Sequence, residues 1–318
     1  MATTMAGTQP IAPREARVAH RPAWGWWVVT AIVLLCVAAL AKSLATNTNL
    51  QWDVVGQYFF SSKLLSGLLL TIELTVLAMA IGIVLGVITA VMRLSPIRIL
   101  STVGLAYIWF FRGTPLLVQI IFWYNIAALF PKITIAVPFG GPTFWSANTN
   151  SVVTGFVAAV LALGLNEGAY MSEIVRGGII SVDQGQQEAG TALGMRSRRI
   201  MRRIILPQAM RVIVPPTGNQ VIGMLKSTAL VSVASVQELL YSAQLIYNRT
   251  FQTIPLLIVA ALWYLLVTTV LSVGQYFIER HFARGNRNAL PPTPWQRLRT
   301  AVDNMRGALK ARVERSAS

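Results

Sequence analysis

Long apolar stretches separated by short polar segments dominate the pattern along this chain. Six stretches approach the roughly 20 apolar residues that a helix needs to cross a bilayer: 24–45, 66–92, 99–130 with an interruption, 152–170, 212–236 and 254–278. An ordinary surface helix instead alternates apolar and polar residues every three to four positions. The pattern therefore predicts an all-α membrane protein with six spanning helices.

The polar segments divide the chain into regions. Residues 1–23 are rich in Ala, Thr, Pro and Arg and are predicted to be a disordered leader, followed by an extra helix at 24–45. Residues 64–280 form the main transmembrane domain, which contains a long polar loop at 183–211. Residues 281–318 form a basic tail, either a helix on anionic lipid or a disordered segment. Whether the first span is retained, or cleaved near 39–45, stays open.

Polar residues interrupt the third apolar stretch. The string Arg112-Gly113-Thr114-Pro115 predicts that one helix ends near Arg112 and that another starts at Pro115, capped by Thr114. Backbone groups freed by such a break cannot face lipid and must be satisfied inside the protein. These four residues are therefore assigned a structural role.

Charged and polar residues inside the spans are candidates for a transport pathway, because they are costly in lipid. Asn166, Glu167, Tyr170 and Glu173 share or border one helical face, and Glu173 and Arg176 are spaced to pair. The candidates for the pathway are Asn166, Glu167, Tyr170, Lys226 and Thr228. Two alternatives stay open: Lys226 has a structural partner on a neighbouring helix, and Glu73, near the end of its span, is simply hydrated.

The distribution of charge orients the chain. Only 12% of the 318 residues are charged, and the formal net charge is +16. With the amino terminus in the cytoplasm, the outer side holds Lys42, Lys63, Lys132 and Arg249. The inner side holds Arg14, Arg17, Arg21, Arg93, Arg98, the arginines of 176–211 and the tail. This asymmetry follows the positive-inside rule and places both termini in the cytoplasm. No nucleic-acid-binding module accompanies the basic residues, so nucleic acid is not an expected partner.

Few residues offer chemistry of other kinds. Cys36 is the single cysteine, and His20 and His281 lie at opposite ends of the chain. A disulfide framework, a thiol metal site and a catalytic metal centre are therefore not expected. No phosphate-binding loop follows a strand, so we expect no nucleotide site, no cofactor and no enzymatic activity in this chain.

The loop at 183–211 carries a patterned pair of helices. Asp183 and Gln186 have the spacing of a capping box, and Gly194 is a predicted helix stop. Small residues at 189–194 would let another protein approach the backbone closely. A second helix is predicted from Ser197 to Leu206, where Pro207 interrupts it. Arginines and apolar residues alternate along it at helical spacing, which indicates a docking element at a membrane surface.

This loop resembles the EAA loop of the membrane subunits of ABC importers. Glu188-Ala189-Gly190, then Gly194, then Ile204-x-Leu206-Pro207 match the family pattern except that Gly190 stands where Ala is usual. The exchange lowers helix propensity by about 0.8–1 kcal/mol, which would loosen the helix. The resemblance implies contact with the ATPase through Glu188, Ala189, Gly190, Gly194, Arg198 and Pro207.

Three further strings resemble the permeases for polar amino acids, of the histidine and glutamine type. They are the string from Arg112 to Gln119, the Ala-Tyr, Glu-Ile and Arg-Gly-Gly motifs within 169–178, and Lys226-Ser227-Thr228-Ala229-Leu230. The resemblance implies a five-helix type I importer core plus one N-terminal helix, in a bacterial cytoplasmic membrane.

The same resemblance implies what works with the chain. The expected partners are a cytoplasmic ATPase dimer that uses the ATP, an extracytoplasmic amino-acid-binding protein, and a second permease, identical or related. The expected function is import of polar amino acids. The alternatives are import of another small polar solute and, less favoured, ion-coupled secondary transport, for which the halves of the chain show no convincing repeat.

Overall fold

The computed structural model describes residues 24–137, 141–282 and 299–300. The predicted leader at 1–23 and nearly all of the predicted basic tail lie outside these residues. The chain divides into two compact units, Met1–Gln51 and Trp52–Ser318. Within the first unit, α1 (Trp24–Thr46) covers the predicted first span. Its side chains from Trp27 onward are exposed on the protein. This is expected for a helix that is apolar on every face and spans a membrane, where lipid would surround it.

The second unit is mainly helical. Its helices are α2 (Trp52–Phe59), α3 (Ser62–Leu94), α4 (Arg98–Gly113), α5 (Leu116–Tyr124), α6 (Thr149–Val152), α7 (Gly155–Ile180), α8 (Gln184–Ala192), α9 (Ser197–Ile200), α10 (Leu206–Ser227), α11 (Leu239–Thr250) and α12 (Thr253–Phe282). A π-helical segment, Met201–Ile205, joins α9 to α10, and a 3-10 segment, Thr228–Ala234, extends α10.

Several described helices are long and apolar enough to cross a membrane. They are Trp27–Thr46, α3 and α12, and two bent pairs qualify as broken spans: α4 with α5, bent by 99°, and Ser197–Ala234 with α11, bent by 46°. The predicted count of six spans stays a prediction. The remaining predicted span lies in α7, whose Asn166, Glu167, Glu173 and Arg176 lower its mean hydropathy.

Helix α7 is nevertheless the centre of the second unit, because it packs against α3, α4, α5 and α10. Glycines set its distance from α3. A Cβ at Gly82 would lie 2.6 Å from Glu167 Cγ, and one at Gly86 would lie 2.5 Å from Met171 Cβ. The Gly-xxx-Gly spacing of Gly82 and Gly86 thus brings two backbones close together, which small residues allow in membrane helices. Both contacts are separated by 85 positions along the chain, so α3 and α7 run parallel.

Two segments between the predicted spans contain regular secondary structure. The segment at 131–150 contains an antiparallel hairpin of β1 (Lys132–Ala136) and β2 (Thr143–Asn148). Its Ile, Thr, Phe and Trp residues favour strands. The segment at 237–251 contains α11, whose Leu239 and Ala243 are buried against α3 and α12.

Candidate functional site: the polar core and the coupling segment

The break between α4 and α5 is held by two amides. Gln119 Nε2 donates to Phe111 O at 3.0 Å, to Thr114 O at 3.2 Å and to Thr114 Oγ1 at 2.8 Å. Asn166 Nδ2, from α7, donates to Phe111 O at 2.9 Å and to Gln119 Oε1 at 3.3 Å. Gln119 is 5% exposed. The carbonyl groups freed by the bend are therefore satisfied inside the protein, as the sequence predicted.

The predicted cap at this break is wrong. Pro115 occupies the N-cap position of α5 and makes no side-chain cap. The hydroxyl of Thr114 instead donates to Phe110 O at 2.9 Å, in the last turn of α4. A β-branched hydroxyl bonds readily to the carbonyl four residues back. The freed carbonyl groups are instead satisfied by Gln119, which sequence analysis did not single out; an amide side chain just after the break was the signal that could have revealed it.

Three charged groups of the predicted set have partners in the structure. Arg112 packs over the ring of Tyr170, 5.2 Å from the ring centroid, which is a cation–π distance. The predicted pair between Glu173 and Arg176 forms, at 2.7 Å between Glu173 Oε2 and Arg176 Nη2. Both charges of the pair are thus compensated within α7.

Glu167 is the buried carboxylate between α3, α7 and α10. It is 4% exposed, and Gln220 Nε2 donates to its two oxygens at 3.1 and 3.3 Å. Its side chain also packs against Gly82. Asn166 and Glu167 are therefore engaged in opposite directions, Asn166 toward the α4–α5 break and Glu167 toward α10.

A second buried carboxylate was missed by sequence analysis. Glu238 is fully buried and caps α11: its oxygens accept from Leu240 N at 2.9 Å and Tyr241 N at 2.7 Å. Tyr264 of α12 also donates its hydroxyl to Glu238 at 2.8 Å. The available signal was a carboxylate placed directly before an apolar helical run.

The other pathway candidates differ in exposure. Thr228 is buried and donates to Leu225 O. Lys226 is exposed at the end of α10, and Glu73 is exposed on α3. Neither charged group has a hydrogen-bond or ion-pair partner within the part of the chain that the structure describes. The structural partner considered for Lys226 is therefore not found there.

The coupling segment, defined here as residues 183–207, begins with a well-capped helix. Asp183 Oδ1 accepts from Gly185 N at the start of α8. At its end, Gly194 N donates to Thr191 O at 2.9 Å and Met195 N donates to Gly190 O at 3.1 Å. This is a Schellman motif, which requires the left-handed conformation that Gly194 adopts with φ +71°. The predicted helix stop at Gly194 is confirmed.

Gly190 faces the chain itself. It is the buried residue of α8, and a Cβ placed on it would lie 3.0 Å from Ile200 Cγ1 and 3.3 Å from Ile204 Cδ1. The expectation that another protein approaches the backbone at Gly190 is therefore wrong, because Ile200 already occupies that place. Glu188 and Ala189 remain exposed. The close contact between Gly190 and Ile200 packs α8 against the helix that follows.

Pro207 does not interrupt that helix. The chain stays helical from Ser197 to Ser227, and Pro207 lies in the first turn of α10. Before it, Met201–Ile205 widens to a π-helix in which Leu206 N donates to Met201 O. A proline ring clashes with the carbonyl four residues back, and the wider turn accommodates it. The predicted stop at Pro207 is wrong; α9 continues without a break into α10.

Among the described residues, no three His, Cys, Asp or Glu side chains converge as metal ligands would. The arrangement instead offers a solvent-exposed helix, a continuous helical connection, and a membrane core of hydrogen-bonded polar groups. Exposed Arg198 lies on the first turn of this connection. This geometry suits the transmission of a displacement from the exposed helix to the membrane core.

Comparisons with known proteins agree with this geometry. The family model described as "Binding-protein-dependent transport system inner membrane component" matches residues 82–284. The chain is 41% identical to the arginine transport system permease protein ArgU of Corynebacterium glutamicum, over 97% of this chain and 94% of that protein. It is 40% identical to the L-cystine transport system permease protein TcyB of Bacillus subtilis, over 76% of this chain and 95% of that protein.

A solved structure is similar as well. An amino acid ABC transporter crystallised with histidines matches with a TM-score of 0.61 and 36% sequence identity, covering 72% of this chain and 98% of that chain.

Proposed function

The chain belongs to the binding-protein-dependent transport system inner membrane components, and from this premise we propose that it forms the membrane path of an ATP-driven importer of polar amino acids. The family comprises transport permeases, not enzymes. The relatives named above are permeases for arginine and for L-cystine, both polar amino acids. Import of another small polar solute is the alternative, and it would be favoured if the reconstituted system described below took up no amino acid.

The coupling mechanism rests on one observation, the unbroken helix that links the coupling segment to α10. Residues 184, 187, 188 and 191 form one exposed polar face of α8. This face, with Glu188 and Ala189, would dock onto the ATPase. Because Gly190 packs on Ile200, a displacement of α8 would move the start of α10. At the other side of α10, Gln220 holds Glu167 of α7, so the movement would reach the membrane core.

The partners follow from this scheme. A cytoplasmic ATPase dimer would hydrolyse ATP and move α8, and an extracytoplasmic binding protein would deliver the amino acid. A second permease, a copy of this chain or a related one, would complete the pathway. Both termini and the coupling segment would face the cytoplasm, in agreement with the arginine-rich inner loops.

The substrate pathway would use the charged membrane residues that remain free. Of the four charged groups considered, Glu167 is bonded to Gln220 and Glu173 to Arg176, whereas Glu73 and Lys226 are exposed without a partner in the described ranges. An unpaired charge in a spanning helix must face water or a ligand. Glu73 and Lys226 are therefore the leading pathway candidates, and Asn166, Glu167, Tyr170 and Thr228 would shape the wall behind them.

Reconstituted transport tests the function. Proteoliposomes containing this chain, its ATPase and its binding protein should take up a polar amino acid only with ATP, and Glu188→Lys should abolish uptake because it reverses the charge of the docking face. The matched control is Asp53→Lys, a charge reversal at an exposed side chain of α2, which should keep uptake. Uptake by this chain without an ATPase would refute the proposal in favour of secondary transport.

Thiol labelling tests the pathway. In a Cys36→Ser background, cysteines at positions 73 and 226 should react with a water-soluble maleimide, and the transported amino acid should slow the reaction several-fold. A cysteine at position 166 should react slowly with or without substrate, because Asn166 is buried. Equal reactivity at all three positions, without protection, would exclude these residues from the pathway.

A further inference from the structure

An apolar groove lies at the end of the second unit where α3 and α7 finish and α10 begins. Its volume is about 840 Å³, within the 300–1,000 Å³ that is typical of small-molecule sites. One wall is a stripe of α3, at Ile83, Val87, Val91 and Leu94; the other walls are stripes of α7 and α10. Most of the lining side chains are Ile, Val, Leu or Met, so a polar amino acid would find few hydrogen-bond partners along them.

The dimensions of the groove fit a lipid tail. From Ile83 to Ser95 the groove follows α3 for 12 residues, or about 18 Å at 1.5 Å per residue. Half of a bilayer's hydrocarbon core is about 15 Å thick. The groove therefore extends over one leaflet. At its deep end Gln275 of α12 closes it, with its amide held by Asn219 Oδ1 at 2.9 Å.

Arginines follow closely, along the chain, on the lining residues at one end of the groove. Leu94 and Ser95 are followed by Arg98, and Met201 is followed by Arg202 and Arg203. These arginines are exposed and have no ion-pair partner within the ranges that the structure describes. Unpaired basic residues at the membrane surface attract anionic lipid headgroups, by about 1 kcal/mol each.

We propose that this groove binds one anionic phospholipid of the inner leaflet, with an acyl chain along α3, α7 and α10 and the headgroup phosphate at Arg98 and Arg202. A concave groove of this size suits a flexible chain better than the flatter surface of a protein partner. Because Leu206 and Met210 also line it, the lipid contacts the helix that continues the coupling segment.

Native mass spectrometry of the purified chain, titrated with phosphatidylglycerol or phosphatidylcholine, tests the site. Val87→Trp fills the groove and should weaken binding of both lipids at least tenfold. Val84→Trp is the matched control, since Val84 is exposed on α3 but does not line the groove; it should bind as the unmodified chain does. Arg98→Gln with Arg202→Gln should weaken phosphatidylglycerol selectively, and Arg249→Gln should not.

Photocrosslinking of the unmodified chain avoids dependence on the folding of any variant. Phosphatidylglycerol with a diazirine on its acyl chain should label Val87, Val91 or Met210, and not Val84. Labelling spread evenly over α3, or unchanged binding to Val87→Trp, would overturn the proposal. Unchanged lipid binding together with loss of self-association in Val87→Trp would also overturn it and would assign the groove to a second copy of the chain. Neither readout requires transport, so this proposal can fail while the proposed function stands.

Discussion

The α3–α7 contact and the coupling segment both depend on buried glycines, but the glycines face different neighbours. Gly86 faces backbone: a Cβ there would lie 3.0 Å from both Met171 C and Ser172 N. Gly190 faces the flexible side chains of Ile200 and Ile204, at 3.0–3.3 Å. Backbone in a packed helix pair cannot move without moving the helix, whereas an isoleucine side chain can shift. Replacing a buried glycine is therefore expected to destabilise the membrane core strongly and the coupling segment only slightly.

The largest effect is expected where the neighbour is backbone. Gly86→Ala should destabilise the chain by about 3 kcal/mol, near the upper end for overpacking, and should separate α3 from α7. Gly223→Ala in α10 is the control, since a Cβ there meets nothing within 4 Å. Thermal unfolding in detergent, followed by size-exclusion chromatography, measures both. Equal midpoints for the two variants would contradict the assigned contact.

An intermediate effect is expected at the hydrogen bonds of the α4–α5 break. Gln119→Ala leaves buried carbonyl groups with fewer donors and should cost about 1–3 kcal/mol. Gln208→Ala, at an exposed amide that bonds only to Ile204 O, should change stability little. A double-mutant cycle with Asn166→Ala should give a coupling energy of about 0.5–3 kcal/mol. Strict additivity would mean that the two amides do not share the break.

The smallest effect is expected at Gly190. Gly190→Ala gains about 0.8–1 kcal/mol of helix propensity, offset by the crowding of Ile200 and Ile204, so the net change should be within about 1 kcal/mol. Combining it with Ile200→Val should recover stability, because the shorter side chain removes the Cδ1 methyl that lies 3.1 Å away. Hydrogen exchange of α8 measures the effect. A loss as large as that of Gly86→Ala would remove the distinction between the two regions.

The sequence could identify the chemistry of the break but not the residue that satisfies it. Arg112-Gly113-Thr114-Pro115 marks a bend, because glycine and proline are poor in helix interiors. Thr114 was predicted to cap the second helix, and no partner could be named for the freed carbonyl groups. Gln119 and Asn166 provide these bonds, and Asn166 lies 55 residues from Phe111. Local spacing cannot show which distant amide reaches a carbonyl.

The coupling segment likewise combines residues that could be recognised from the sequence with one feature that could not. Glu188, Gly194 and Pro207 could be recognised from their spacing, and the Schellman stop at Gly194 follows from the need for a left-handed residue. The π-helix before Pro207 could not be predicted, because proline alone more often ends a helix. The widened turn at Met201–Ile205 accommodates the proline ring and lets the helix continue.

The sequence by itself determined the membrane class, the family resemblance, the orientation expected from its arginines, and some of the residues at which helices bend or stop, such as Gly194. These depend on local properties: the length of apolar runs, the distribution of charge, and the backbone preferences of glycine and proline. Only the tertiary structure decided which polar groups pair between helices. The pairs of Glu167 with Gln220 and of Glu238 with Tyr264 depend on which helices are neighbours, and so does the lack of a partner for Glu73 and Lys226 among the described residues, because side-chain pairing between helices is set by their packing.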